Sequence, residues 1–203
     1  MPKFKANYNT IIFGQTGSGK THFILNVIRR KKITPFPKNI FYMYNIEQDF
    51  MKTWNQTEKH KIKFIQGLDF EKIDTSKPSL LVIDDLILST NKEVAEMFIL
   101  GSHHRQISLF FLTQNLYPRC DLYRLMSNNS HYFVLFQNQR NFNQIKTLAH
   151  QVYGKQDSNR ILNAYKRAGE IDRGFVVLTF VPGFPSDLQV VTDWWEICPS
   201  IYL

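Results

Sequence analysis

The chain has little cysteine and no long apolar run, and both scarcities restrict what it can be. Its 203 residues include only two cysteines, Cys120 and Cys198, which lie far apart and show no metal-ligand spacing. We therefore expect a reducing intracellular compartment. No apolar stretch is long enough to cross a bilayer, and the amino terminus lacks the apolar centre of a signal peptide. The sequence predicts no membrane partner.

Acidic residues are outnumbered by basic ones, which makes a polyanion the expected partner. Lys and Arg total 25 against 17 Asp and Glu, a formal net charge of +8. The basic residues cluster at 29–32, at Lys59, Lys61 and Lys63, and through Arg119, Arg124, Arg140 and Lys146. Binding to phosphates explains such a balance. A solvated basic surface is the alternative, and residues 29–32 also suit the carboxyl end of a helix.

Repeats and low-complexity linkers are also absent, so we expect one domain over residues 1–203, with a core at about 8–180 and an irregular tail at 181–203. Apolar runs predict strands at 8–13, 39–44, 62–65, 80–83, 107–112, 132–136 and 175–180. Amphipathic stretches predict helices at about 20–31, 47–55, 91–104, 119–127, 141–151 and 156–168. This alternation predicts an α/β fold, a mostly parallel central sheet with helices on both faces.

The segment GQTGSGKT fits the phosphate-binding loop pattern G-x-x-x-x-G-K-[ST] and stands between a predicted strand and a predicted helix. Its residues are Gly14, Gln15, Thr16, Gly17, Ser18, Gly19, Lys20 and Thr21. The glycines let successive N–H groups point at one phosphate cluster. We expect Lys20 to reach the β- and γ-phosphates and Thr21 to bind Mg²⁺. The motif predicts ATP with Mg²⁺, and a glycine-rich turn that binds nothing is the alternative.

Polar side chains follow two of the predicted buried strands. Asp84 and Asp85 come directly after residues 80–83, where a strand would deliver a carboxylate beside the phosphate loop. We expect Asp84 to hold Mg²⁺ and Asp85 to act as the general base. Gln114 ends the next strand, where it would hydrogen-bond the γ-phosphate or its attacking water. The alternatives are an Asp-Asp turn or helix cap, and a Gln-Asn turn.

Arginines are the expected source of positive charge for a phosphoryl-transfer transition state. The candidates are Arg105, Arg119, Arg124 and Arg140. For any one of them, a salt bridge or a contact with DNA phosphate is the alternative. Arg105 follows His103 and His104, which cannot share one helix face and so make a poor metal pair.

These motifs together resemble the ATPases of the FtsK–HerA superfamily. The residues that carry the resemblance are 14–21, 80–86 and 113–115. The stretch 101–153 is similar in particular to the viral genome-packaging branch found in polinton-like elements, virophages and poxviruses. The resemblance covers about residues 8–155 and implies a P-loop NTPase fold of the RecA-like type.

The resemblance implies an ATP-driven double-stranded DNA translocase that assembles as a homo-oligomeric ring of five or six copies. Such a motor packages a viral genome into a preformed capsid beside a capsid or portal vertex protein. It would work in the host cytoplasm, nucleus or viral factory, and transiently at the virion vertex. Lys20 and Thr21 would bind nucleotide and Mg²⁺, Asp84 would bind Mg²⁺, Gln114 would sense the γ-phosphate, and Arg105 would act on the neighbouring subunit's ATP.

One position departs from the superfamily pattern, because many members carry Glu where Asp85 stands. Glu47, which follows the second predicted strand, is therefore a second candidate base. Three other functions stay open: a cellular-type DNA pump or helicase, a small nucleotide kinase, and a nucleotide-gated assembly module with weak turnover. Trp194 and Trp195 suit either packing at the core edge or a subunit or capsid contact.

Overall fold

The apolar runs of the sequence form the strands of one large sheet, as a computed structural model shows for residues 2–74, 76–86, 92–101, 106–118, 121–196 and 199–203. The strands are β1 (Phe4–Lys5), β2 (Asn9–Phe13), β3 (Ile33–Thr34), β4 (Asn39–Tyr44), β5 (Lys63–Gln66), β6 (Ser79–Asp84), β7 (Ile107–Thr113), β8 (Tyr132–Phe136), β9 (Phe175–Thr179), β10 (Val190–Thr192) and β11 (Ser200–Ile201). Of these, β1 and β3 pair with each other in a separate two-stranded parallel sheet. The helices are α1 (Lys20–Arg29), α2 (Asp49–Thr57), α3 (Lys92–Glu96), α4 (Asp121–Asn128), α5 (Phe142–Asp157) and α6 (Asn159–Ala168).

The main sheet has the strand order β11-β10-β9-β8-β2-β7-β6-β4-β5. The six strands from β8 to β5 in that order run parallel, whereas β9, β10 and β11 add to the β8 side in antiparallel pairs. The central strands are buried on both faces, which explains why they are continuous apolar runs rather than alternating ones. The mostly parallel sheet predicted from the sequence is confirmed.

Alternate side chains of the strands supply two hydrophobic cores, one on each face. Ile11 and Phe13 of β2 point to a core that also holds apolar residues of α3, α4, α5 and α6. Ile12 points to the opposite core, which holds apolar residues of α1 and α2. The period of two along each strand therefore places helices on both faces.

Two regions differ from the sequence-based expectation. The predicted irregular tail is wrong in part, because residues 181–203 contain β10 and β11, which extend the sheet through β9. Strands of two or three residues are too short to show a periodic pattern, so the sequence carries little sign of them. The helix predicted over 91–104 is α3 followed by a π-helix, Met97–Gly101, and its last residues lie outside the described part of the chain. Among the described helices, none has the length and apolar character needed to cross a bilayer.

Candidate active site

Three neighbouring parallel strands bring the predicted motifs to one edge of the sheet. β7 lies between β2 and β6, and all three end at the same side. Lys20, Thr21, Asp84, Asp85 and Gln114 consequently line one cleft of about 410 Å³ at the carboxyl ends of the strands. This is where ligands bind in open α/β sheets.

The phosphate loop has the backbone geometry that its glycines predict. Gly17 and Gly19 have φ angles of 79° and 106°, in the left-handed region that favours glycine. Gly14 packs so tightly that an added Cβ would lie 2.6 Å from Cβ of Phe136 on β8. Gly19 is the N-cap of α1 and gives it no side-chain cap, so the first N–H groups of the helix are left for an anion.

Lys20 lies beneath the loop and touches its backbone. Its Nζ donates to the carbonyl oxygens of Gly14, at 2.7 Å, and Gln15, at 3.0 Å. Burial lowers the pKa of Lys20, while the charges of Asp84 and Asp85 oppose that shift. A triphosphate bound here would bring the negative charge that a buried ammonium requires.

Asp84 is buried and held by two residues that the sequence reasoning missed. Tyr42 Oη donates to Asp84 Oδ2 at 2.5 Å, and Gln48 Nε2 donates to the same oxygen at 3.2 Å. Burial raises the pKa of Asp84, opposed by the Tyr42 hydrogen bond and the Lys20 charge. Burial and the Asp84 charge raise the pKa of Tyr42 well above its usual range, and Thr21, which lies close to the same hydroxyl, opposes that shift. The only sign in the sequence was a tyrosine inside an apolar strand, since a buried phenol needs a partner.

Asp85, Gln114 and Thr16 form a chain of hydrogen bonds across the cleft. Gln114 Nε2 donates to both carboxylate oxygens of Asp85 at 3.2 Å, and Thr16 Oγ1 donates to Gln114 Oε1 at 3.1 Å. Asp85 has a φ of 55°, a left-handed conformation uncommon for residues other than glycine. Gln114 thus joins the phosphate loop to the candidate base. Glu47 is exposed and is not among the described residues that line the cleft.

No protein-family model matches the chain, and no curated protein matches its sequence. Solved structures do match. The DNA-packaging ATPase B204 from Sulfolobus Turreted Icosahedral Virus is 15% identical over 98% of both chains, with a TM-score of 0.57. The genome packaging NTPase B204 from Sulfolobus turreted icosahedral virus 2, in complex with AMPPCP, is 11% identical over 97% of both chains, with a TM-score of 0.56. The same NTPase in complex with ATP-gammaS is 12% identical over 97% of both chains, with a TM-score of 0.54.

The chain has the RecA-like P-loop NTPase fold. At 11–15% identity these matches show the fold, and they confirm the fold class predicted from the sequence. The placement in the FtsK–HerA superfamily stays a prediction, as does the role of each site residue.

Two of the four candidate arginines lie in the described part of the chain, and they line different cavities. Arg140 lines a cavity of about 390 Å³ with Gln15, Thr16 and Gln114, beside the phosphate loop. Arg124 lies on α4 and lines a different cavity, with Tyr117. The candidates Arg105 and Arg119 lie outside the described residues, as do His103, His104 and both cysteines.

Arg173 lies at the cleft although no sequence pattern pointed to it. It belongs to the turn between α6 and β9, and a Cβ added to Gly19 would lie 3.2 Å from Cβ of Arg173. Arg173 lines the cleft together with Lys20 and Asp84, so this chain itself places a second cation there.

The donors present fit Mg²⁺, although within the described part of the chain no three His, Cys, Asp or Glu residues converge. Thr21 and Asp84 supply a hydroxyl and a carboxylate oxygen to the same cleft, where Tyr42 holds Asp84 in place. Mg²⁺ uses one or two protein oxygens and takes its other ligands from water and substrate phosphates. A site of two protein ligands therefore suits Mg²⁺ bound together with a triphosphate.

Proposed function

We propose that this protein is an ATP-hydrolysing double-stranded DNA translocase that packages a viral genome into a preformed capsid. The observation that carries the proposal is the hydrogen-bonded chain from Asp85 through Gln114 to Thr16, beside Lys20 and Asp84. A loop that only bound nucleotide would not need a carboxylate and an amide joined across the γ-phosphate position. The shared fold with genome-packaging NTPases supports the same function.

We propose a task in hydrolysis for each residue of the cleft. The loop N–H groups and Lys20 bind the phosphates, while Thr21 and Asp84 would hold Mg²⁺, which supplies charge neutralisation on the phosphate oxygens. Asp85 accepts a proton from the attacking water while the oxygen of that water forms a bond to the γ-phosphorus. The bond from that phosphorus to the bridging oxygen breaks, the bridging oxygen stays with ADP, and ADP and inorganic phosphate are the two products. Gln114 orients the water and, through Thr16, transmits γ-phosphate loss to the loop.

The other end of α1 is the proposed DNA contact. Lys31 and Lys59 form no ion pair with a carboxylate among the described residues, whereas Arg29 is bound to Glu58 at 2.7 Å. Burial lowers the pKa of His60, and the charges of Lys31 and Lys59 lower it further against the opposing charge of Glu58, so both lysines lie close to this histidine. Unpaired lysines in one place favour phosphate binding without sequence preference.

Two parts of the proposal concern a ring. The first is that Arg105 reaches the ATP of the neighbouring subunit. The second is that five or six copies close a ring, one opening of which would contact a capsid or portal vertex protein. A double-stranded DNA axis through the ring would account for a basic surface outside the active site.

The direct test is steady-state ATP hydrolysis with and without double-stranded DNA, comparing wild type with Lys20→Ala and Asp84→Asn. We expect DNA to stimulate the wild type, and both variants to stay near the background rate. Lys166→Ala, an exposed lysine on α6, is the matched control and should behave as wild type. A wild type no faster than the two variants would overturn the proposal.

Three further observations distinguish the proposed motor from the other functions. Phosphate transfer to a nucleoside in a coupled assay, with no response to DNA, would indicate a nucleotide kinase. Assembly that depends on nucleotide but shows negligible turnover would indicate a gated assembly module. A genomic position apart from any capsid gene would favour a cellular-type DNA pump.

A further inference from the structure

A second cavity lies beside the phosphate cleft, along one side of α1. Its volume is about 350 Å³, within the range of small-molecule sites, ~300–1,000 Å³. Gly19, His22 and Arg173 line both this cavity and the cleft. The cavity therefore adjoins the cleft where the phosphate loop ends.

The wall of this cavity is aromatic. Phe23 and Phe175 are buried with ring centroids 4.9 Å apart, and Trp195 packs against them at 5.3 and 5.7 Å. Trp195 itself is only half-buried, and Arg30, which also lines the cavity, lies over its ring with Cζ 5.2 Å from the ring centroid, so a stacked base would lie beside this cation or displace it. A flat, partly open aromatic surface of this kind stacks well with a planar heterocycle.

Polar groups at the cavity can recognise such a heterocycle. Trp194 is 4% exposed and lines the cavity, and its Nε1–H has no hydrogen-bond partner among the described residues. Asn26 lies on the α1 side, with its amide nitrogen 3.1 Å from Nδ1 of His22. The Trp194 Nε1–H is itself closed to solvent, so hydrogen bonding to the heterocycle falls to the half-buried Asn26 amide, which also lines the cavity.

We propose that this cavity is the nucleoside site, in which the base of the bound nucleotide stacks on Trp195 while Arg173 contacts the ribose or the α-phosphate. The inference rests on the proposed nucleotide binding and adds the residues that recognise the nucleoside. It also gives Trp195 a task beyond the packing at the core edge that both tryptophans show. Arg173 is exposed and lines both the cavity and the phosphate cleft, so it would contact the nucleotide where the two meet.

The test compares binding of ATP with binding of inorganic tripolyphosphate, which has no base or ribose. Trp195→Ala should weaken ATP binding about tenfold or more, as expected for loss of base stacking, and leave tripolyphosphate binding unchanged. Trp195→Phe keeps an aromatic face and should restore most of the ATP affinity. Asn26→Ala, at a half-buried position outside the aromatic wall, should weaken ATP binding only.

Two outcomes separate this inference from the function on which it rests. If Trp195→Ala and Asn26→Ala change ATP and tripolyphosphate binding by the same factor, the nucleoside site is wrong although the phosphate site stands. If Lys20→Ala binds both ligands as the wild type does, the phosphate site itself is wrong. A Trp195→Phe variant as weak for ATP as Trp195→Ala would also overturn stacking.

Discussion

The phosphate cleft and the neighbouring cavity share Gly19, His22 and Arg173 but are built in different ways. The catalytic candidates of the cleft come from a continuous loop and the ends of two strands, so short local motifs mark most of them, although Gln48 and Arg173 also line it. The cavity gathers one side of α1, the turn before β9 and the Trp194-Trp195 pair, which are far apart in sequence. Phosphate recognition thus depends mainly on residues that are close together in the sequence, whereas the proposed nucleoside recognition depends on segments that only the fold brings together.

The largest expected effect removes the cleft's central cation. Lys20→Ala should lower ATP hydrolysis by at least about 10²–10³-fold, because the charge that develops on the phosphates loses its nearest ammonium. Steady-state phosphate release measures this. Retained hydrolysis in Lys20→Ala would show that the cleft is not where catalysis occurs.

The next effect separates catalysis from binding within the cleft. Gln114→Ala breaks the link between Asp85 and Thr16, so kcat should fall about 10²-fold while KM for ATP changes little. Gln156→Ala, at an exposed position on α5, is the control. A rise in KM with kcat unchanged would contradict the proposed orienting role.

A smaller effect is expected where the two compartments meet. Arg173→Ala should weaken ATP binding by roughly tenfold, the range for a lost hydrogen bond to a charged group. Arg173→Lys keeps the charge but not the fork, and should recover part of that loss. Isothermal titration measures both, and an unchanged affinity in Arg173→Ala would remove Arg173 from the site.

The smallest effect concerns stability without nucleotide. Burial raises the pKa of Asp84, so its protonated form is favoured in the folded state. That stabilisation is fully present below the ordinary pKa of 3.8 and is lost as the pH rises through the higher folded pKa. Asp84→Asn has no charge to bury, so its Tm should exceed that of the wild type by roughly 2–4 °C at neutral pH and by less in acid.

Thermal melts from about pH 4 to about pH 7 measure this difference. Asp157→Asn, at an exposed position on α5, is the matched control and should follow the wild type. A difference in Tm between Asp84→Asn and wild type that stays constant with pH would contradict the account of a buried carboxylate.

Local sequence predicted most of the sheet and the motif part of the site. Buried parallel strands such as β6 and β7 are mainly apolar, and Asp84 ends β6 while Asp85 and Gln114 follow β6 and β7 directly. Tyr42, Gln48 and Arg173 were not predicted, because they join the site only through strand pairing and a turn that no local pattern marks. The strands β10 and β11 were not predicted because they are too short to show a periodic pattern. Arg105 lies outside the described residues, so its role across a subunit boundary stays a prediction.

Displacement of a third strand from a DNA triplex tests the proposed motor most directly, because only movement along the duplex removes that strand. With ATP, the wild-type protein should release the third strand. Lys20→Ala, and wild type with AMPPCP, should not. ATP hydrolysis by the wild type without any release of the third strand would contradict a translocase.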